Sequence, residues 1–308
     1  MIQIDAQYRP QVLLLGNGLN RTYGGNSWGD MLQKIAVRSD LPKELHCPYP
    51  LQAVLVTNDH VKTAMKDHKD EFYGTVSDRL SKNLQVLLEA GFDDILTTNY
   101  SYELEAAALE KTIVSDYYLR KTCGNIREGE RAERKYLIST CQNVNYHKIL
   151  NRIWHIHGEA RKPDSMILGH YYYATLLHKM TEYVQGRKNI FQENQRESNP
   201  QTIGSWLDSF ILGDVYMLGF GMEFSEIDLW WLLNRKKREH ADHGEVYFYT
   251  PGGEKFSEKE ELLKLLEVNV VHCDCKTPEG TDDEKNALYD LFYQKAIADI
   301  LQKVNTSK

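Results

Sequence analysis

Two side chains in this sequence have the chemistry of a reaction centre. Asn99 and His157 each end a short extended, largely apolar run: Asp94-Ile95-Leu96-Thr97-Thr98 before Asn99, and Ile153-Trp154-His155-Ile156 before His157. An imidazole takes a proton near neutral pH, as a general base must. An amide only donates and accepts hydrogen bonds, so the two roles must differ. Asn99 taken alone also reads as a cap for the helical pattern that resumes at Glu103. Strand period puts His155 and His157 on one face with Ile153, and Trp154 and Ile156 on the other. Either histidine can instead be a satisfied core group, and His155 is assigned to the core. On that assignment His155→Ala is expected to be milder than His157→Ala. A metal-binding His-x-His pair is the remaining reading, but no third ligand follows at the usual spacing.

Two glycine turns have the form of a ligand cradle. Gln11 to Leu15 is a short apolar run that feeds Gly16-Asn17-Gly18-Leu19-Asn20 and then a helix from about Trp28 to Val37. Val215 to Leu218 feeds Gly219-Phe220-Gly221 and a helix from Asp228. A strand, a glycine turn and a helix together can hold a pyrophosphate, because backbone N–H groups approach it and the helix start favours its charge. Neither turn carries the full Gly-x-Gly-x-x-Gly fingerprint. Ser225 as N-cap and Asp228 three residues on read as an approximate capping box.

These turns need strands and helices to hold them. Strands are expected to begin near residues 11, 94, 153, 215, 246 and 268, with Ser165 to Gly169 as a further short one. Helices are expected between them, as at Val76 to Ala90, closed by Gly91. The alternation predicts an α/β fold: a doubly wound, Rossmann-like, mostly parallel sheet of about six strands. One domain spans residues 1–308, with helical insertions near 40–75 and 170–205. Asp116 to Asn145 mixes Arg127, Arg131, Arg134 and Lys135 with Glu128, Glu130 and Glu133, and reads as a solvated excursion. Gly186 to Pro200 reads as a polar loop.

Composition excludes several classes. The net charge of −7 gives the chain no overall pull on nucleic acid. No apolar run approaches the roughly 20 residues that cross a bilayer, so no membrane partner is expected. Met1 to Pro10 lacks the apolar core of a signal peptide. Five cysteines without a Cys-x-x-Cys pair fit a reducing, cytoplasmic location.

Four strand-end loops come in a definite order: Gly16-Asn17-Gly18, Thr97-Thr98-Asn99-Tyr100, His157-Gly158 and Gly219-Phe220-Gly221. This order resembles the sirtuin superfamily, and most of all the bacterial sirtuin-like NAD hydrolases of anti-phage defence. The resemblance runs from about Val12 to Asn269. It implies that Gly16, Asn17, Gly18 and Asn20 hold the pyrophosphate of NAD. It implies further that Thr98 contacts the cofactor and that Tyr100 lines the nicotinamide pocket, with Asn99 beside the nicotinamide ribose. His157 would be the base acting on a ribose hydroxyl or on water. Gly219, Phe220 and Gly221 would contact the adenosine half, with Asp228 structural. The implied activity cleaves NAD to nicotinamide and ADP-ribose without a metal, in abortive-infection defence. A homo-oligomer or a partner sensor or ATPase would supply the trigger.

The sequence departs from the family at three places. No cysteine lies between His157 and Gly219, where protein-deacylating sirtuins carry their zinc module. Ser101 stands where an aspartate is usual, and Asn17 where alanine is. The abortive-infection AbiH type shares the Gly-Asn-Gly start. An NAD-dependent protein deacylase and a non-catalytic nucleotide-binding sensor are the alternatives. The missing zinc cysteines disfavour the first, and the pairing of Asn99 with His157 disfavours the second.

Overall fold

The structure is a computed structural model that describes residues 3–4, 9–36, 47–126, 129–187, 201–238, 244–251, 257–273 and 281–306. Most of the loop read at Gly186 to Pro200 lies outside these residues, as do Gly252, Gly253 and Cys275. Ten strands occur among the described residues. In chain order they are β1 (Gln3–Ile4), β2 (Gln11–Leu15), β3 (Asp94–Thr97), β4 (Cys123–Asn125), β5 (Thr140–Tyr146), β6 (Ile149–His155), β7 (Gln201–Thr202), β8 (Asp214–Leu218), β9 (Val246–Thr250) and β10 (Val268–His272). β1 and β7 form a separate antiparallel pair. The other eight make one sheet in the order β10-β9-β8-β2-β3-β6-β5-β4.

The six strands from β10 to β6 are parallel, at the positions the apolar runs predict. The sheet is larger than expected, because β5 and β4 add two antiparallel strands at the β6 edge. They lie in the stretch read as a solvated excursion. β5 is polar along much of its length, with Gln142, Asn143 and Asn145. Its hairpin to β6 turns on His147 and Lys148, which hold φ of 44° and 72°. Two residues at positive φ suit the right-handed twist of a hairpin, but glycine or asparagine normally advertises such a turn. Ser165 to Gly169 is not a strand: a short 3-10 turn (Pro163–Ser165) is followed by irregular backbone.

Side chains on the central strands alternate between two cores. Leu13, Leu15, Ile95, Tyr216 and Leu218 enter one, together with Leu80, Leu84, Leu87 and Leu88 of the helix Asp78–Glu89. Val12, Leu14, Leu96, Val215 and Met217 enter the other, with Tyr173, Leu176 and Met180 of the helix His170–Gly186. This is why the strands read as unbroken apolar runs: both faces are covered. Each leucine buried in this way contributes about 1.5–3 kcal/mol. The helix Asp78–Glu89 starts at Ser77, whose side chain accepts from Leu80 N–H. It stops at Gly91, which takes φ +72°.

The chain runs outward from β2 through β3 to β6. It then crosses back to lay β8 on the other side of β2 and continues to β9 and β10. The order reverses between β2 and β8, and a parallel sheet opens a crevice at that point.

At the opposite end of β3, Asp94 is fully buried and ties the sheet to a helix. Its carboxylate accepts from Arg152 Nε at 2.7 Å and Nη2 at 2.9 Å, from Trp154 Nε1 at 2.6 Å and from Ser209 Oγ at 2.5 Å. Asp94→Ala leaves a largely buried guanidinium, an indole N–H and a hydroxyl without an acceptor. The expected loss is about 3–5 kcal/mol. Urea unfolding with an unchanged denaturant slope measures it, and a loss below about 1 kcal/mol refutes the account.

Candidate active site

The two glycine turns meet each other at the switch point. Gly16 N–H donates to Leu218 O at 2.8 Å, and Gly18 N–H donates to Gly219 O at 2.9 Å. A Cβ on Gly16 would sit 2.5 Å from Gly219 O, and Gly219 itself holds φ +82°. The glycines therefore permit a backbone-to-backbone approach that no larger residue allows. Two N–H groups of the cradle are thereby taken up. Gly18 lines the crevice, but its N–H is already engaged by protein. Gly16 is not on the crevice wall. Asn17 is on it, and its Nδ2 donates to Asn26 O at 2.7 Å, pinning the following loop. Asn20 is 1% exposed, is not among the residues lining the crevice, and its side-chain amide has no partner.

Behind the turns lies a cleft of about 470 Å³. That volume is ordinary for a small-molecule site. Thr98, Asn99, Tyr100, His157, Phe220 and Gly221 all line it. Asn99 and His157 thus converge although 58 residues separate them in the chain.

Asn99 is held by its backbone. Its N–H donates to Thr97 Oγ1 at 3.1 Å, and its carbonyl accepts from His155 Nδ1 at 2.7 Å. Its side-chain amide is left facing the cleft. The other ring nitrogen of His155 lies 2.9 Å from Glu105 Oε1 in the buried helix Glu103–Ala108. Two acceptors, one on each nitrogen, call for a doubly protonated ring. Burial pulls the His155 pKa down, but the Glu105 charge and hydrogen bond, with Glu159 and the Asn99 carbonyl, carry it up to about 9.

His155 is therefore a core group, as assigned, but removing it is not mild for stability. His155→Ala strands the buried Glu105 carboxylate and frees the Asn99 carbonyl, at an expected cost of about 3–5 kcal/mol. The pH dependence has a definite sign. A raised histidine pKa stabilises fully below the unfolded value of 6.5, and the stability is lost as pH climbs through about 9. Urea midpoints measured between those limits should fall in the wild type, and this component should be absent in His155→Ala.

His157 does not share a face with His155. β6 ends at His155, and Gly158 N–H closes a turn on His155 O at 2.9 Å, with Gly158 at φ +93°. A Cβ at Gly158 would lie 2.2 Å from Ser165 O. The turn stops the two-residue alternation and sends His157 to the other core. There its ring meets Tyr173 edge-on, with centroids 5.5 Å apart.

His157 Nε2 lies 2.6 Å from Asp228 Oδ2. Asp228 belongs to the helix Ile227–Arg238 and is 0% exposed. Its carboxylate turns to the imidazole, not to a capping box with Ser225. With Nε2–H donated to Asp228, the Nδ1 lone pair of a neutral His157 is left for the cleft. Burial lowers the His157 pKa, but the Asp228 charge and hydrogen bond, with the Glu226 charge, raise it overall.

Two carboxyl groups near the cleft are also tuned. Burial pushes Glu226 up to about 7, against the Glu223 N–H bond and the His157 charge that favour ionisation. Burial likewise pushes Glu103 up to about 7, although Ser101 Oγ lies 2.6 and 2.8 Å from its two oxygens. Ser101 stands on the cleft wall and is backed by the Glu103 carboxyl two residues later. Arg21 is an exposed cation on the cleft wall with no ion pair among the described residues. Tyr173 is 0% exposed, lines the cleft, and its hydroxyl has no partner.

No sequence pattern marks Asp228, Glu226, Tyr173 or Arg21 as lining a site. For Asp228 the one hint is that it follows the Gly219–Gly221 turn on the first turn of a helix, but capping explains it equally well. For Tyr173 there is none, because it lies among the apolar positions of an amphipathic helix. The sequence matches no family model, and no curated protein matches it.

Proposed function

We propose that the cleft binds NAD and hydrolyses the bond between nicotinamide and ribose. The observation that carries this reading is the convergence of a free Asn99 amide and an Asp228-held His157 imidazole beside the β2/β8 switch point. An oriented imidazole next to a neutral amide suits a reaction that needs positioning and one proton transfer. The crevice of a parallel sheet is where dinucleotides lie. Arg21 supplies a cation for the pyrophosphate. The partly engaged glycine turns leave it, with the Asn17 side of the loop, as the main phosphate contact.

In the proposed step the C1′–N bond breaks and its electron pair leaves with neutral nicotinamide. Positive charge develops on the ribose. Water attacks C1′ and its proton passes to Nδ1 of His157, then to solvent. The products are nicotinamide, ADP-ribose and a proton. Asp228 holds the ring and stabilises the imidazolium as it forms. The Asn99 amide orients the ribose and the attacking water. A role in anti-phage defence, with a second copy or a partner protein as trigger, rests on the sirtuin-like loop order alone. Among the described residues no helix is long and apolar enough to cross a membrane.

The test is chromatographic detection of nicotinamide and ADP-ribose from NAD with purified protein. Saturable NAD binding without release under any condition, by a protein in which His157→Ala changes nothing, replaces this reading with a nucleotide-binding sensor.

A further inference from the structure

A second cleft lies at the antiparallel edge of the sheet, away from the glycine turns. It is lined by Arg120 and Cys123, by Glu133 and Arg134 before β5, and by Arg161 and Lys162 after β6. The chain as a whole carries −7, so four cations around one hollow run against its composition.

The charges here are unevenly matched. Asp164, also on the wall, pairs with Lys62 at 3.1 Å. Glu133 is turned inward, and its Oε2 accepts from Ser139 N–H at 2.7 Å and Thr140 N–H at 3.0 Å. Lys162 Nζ lies 2.7 Å from Glu159 Oε1 and 3.2 Å from Cys123 Sγ. Arg161 Nη2 is 3.6 Å from the same Glu159 oxygen, and its Nε is buried with no hydrogen-bond partner. Arg120 and Arg134 are exposed and have no ion pair among the described residues. One buried carboxylate, Glu159, therefore answers two largely buried cations. Two further arginines stand at the rim.

A guanidinium withdrawn from water with an unmet donor favours an anion that supplies acceptors. Several arginines around one hollow match the spread oxygens of a phosphate better than a single carboxylate. We propose that this cleft is a separate binding site for a small phosphate-bearing anion. The inference does not depend on NAD hydrolysis. The stretch around Arg134 is also the one whose mixed charges read, from sequence, as a solvated excursion. The fold sorts them by bringing Arg120 and Arg134 beside Arg161 and Lys162.

Titration calorimetry of the full chain with inorganic pyrophosphate tests it, in wild type, in Arg120→Glu/Arg134→Glu and in Arg21→Glu. The expected result is a saturable event that weakens at least about tenfold, or about 1.4 kcal/mol, in the double variant. It should persist in Arg21→Glu, which alters only the larger cleft. Added salt should weaken it. If the charge reversal unfolds the protein, Arg120→Gln/Arg134→Gln takes its place. Absence of saturable binding overturns the proposal. So does binding that survives in the double variant and disappears in Arg21→Glu.

Discussion

His157→Ala is expected to lower nicotinamide release by about 10²- to 10⁴-fold, the usual contribution of a positioned general base. The substitution strands the buried Asp228 carboxylate and costs stability, so the rate is read below the variant's own thermal unfolding, where it is still folded. Asp228→Asn should approach the same loss by a different route. The amide no longer selects the Nε2–H form of the ring, so the lone pair is no longer presented at Nδ1.

The pH profiles separate the two variants. A base must be neutral to act, and Asp228 holds the His157 pKa above its ordinary 6.5. The wild-type rate should therefore rise with pH through a midpoint above 6.5. Without the carboxylate only burial remains as the leading influence, and burial lowers the pKa. The residual activity of Asp228→Asn should accordingly have its midpoint shifted down. An unshifted midpoint, or a folded His157→Ala protein at the wild-type rate, removes His157 from the mechanism.

Asn99→Ala is the second large effect, expected at about 10²-fold or more, the cost of misplacing reacting groups by roughly an ångström. Its origin is geometric. The Asn99 backbone is clamped by Thr97 Oγ1 and His155 Nδ1, and both bonds survive the substitution. Only the amide facing the cleft is lost. The variant should thus keep its urea midpoint within about 0.5 kcal/mol of wild type while losing rate, as ordinary non-core substitutions do. Asn99→Asp keeps the shape and adds a charge, so partial recovery of rate there would assign the role to acceptance alone. A large stability loss in Asn99→Ala would show that the side chain supports the fold and not the reaction.

The contrast between His155 and His157 shows how much of the site the sequence could hold. Both stand at the end of an extended run, and strand period places both on one face. That rule holds only while the strand lasts. β6 ends at His155, and Gly158 turns the chain, so His155 meets Glu105 while His157 meets Asp228, 71 residues away. No local pattern encodes that second partner.

The parallel strands were legible for a simple reason. β2, β3 and β8 are covered on both faces, and burial on both faces demands a nearly unbroken apolar run. β5 escaped because Gln142, Asn143 and Asn145 make an edge-like polar strand, joined by a His147-Lys148 turn without glycine. The sequence by itself determined the α/β class and the order of the strand-end loops, and it singles out Asn99 and His157 at two strand ends. Tertiary structure alone decided that the glycine turns bind each other, which takes up the N–H groups of Gly16 and Gly18. It also decided that Asp228 orients His157, and that Arg120, Arg134, Arg161 and Lys162 share one hollow. The physical reason is the range of the forces involved. Burial and backbone sterics act on neighbouring residues and leave a periodic trace in sequence. Charge pairing and close backbone approach act between residues that only the completed sheet brings together.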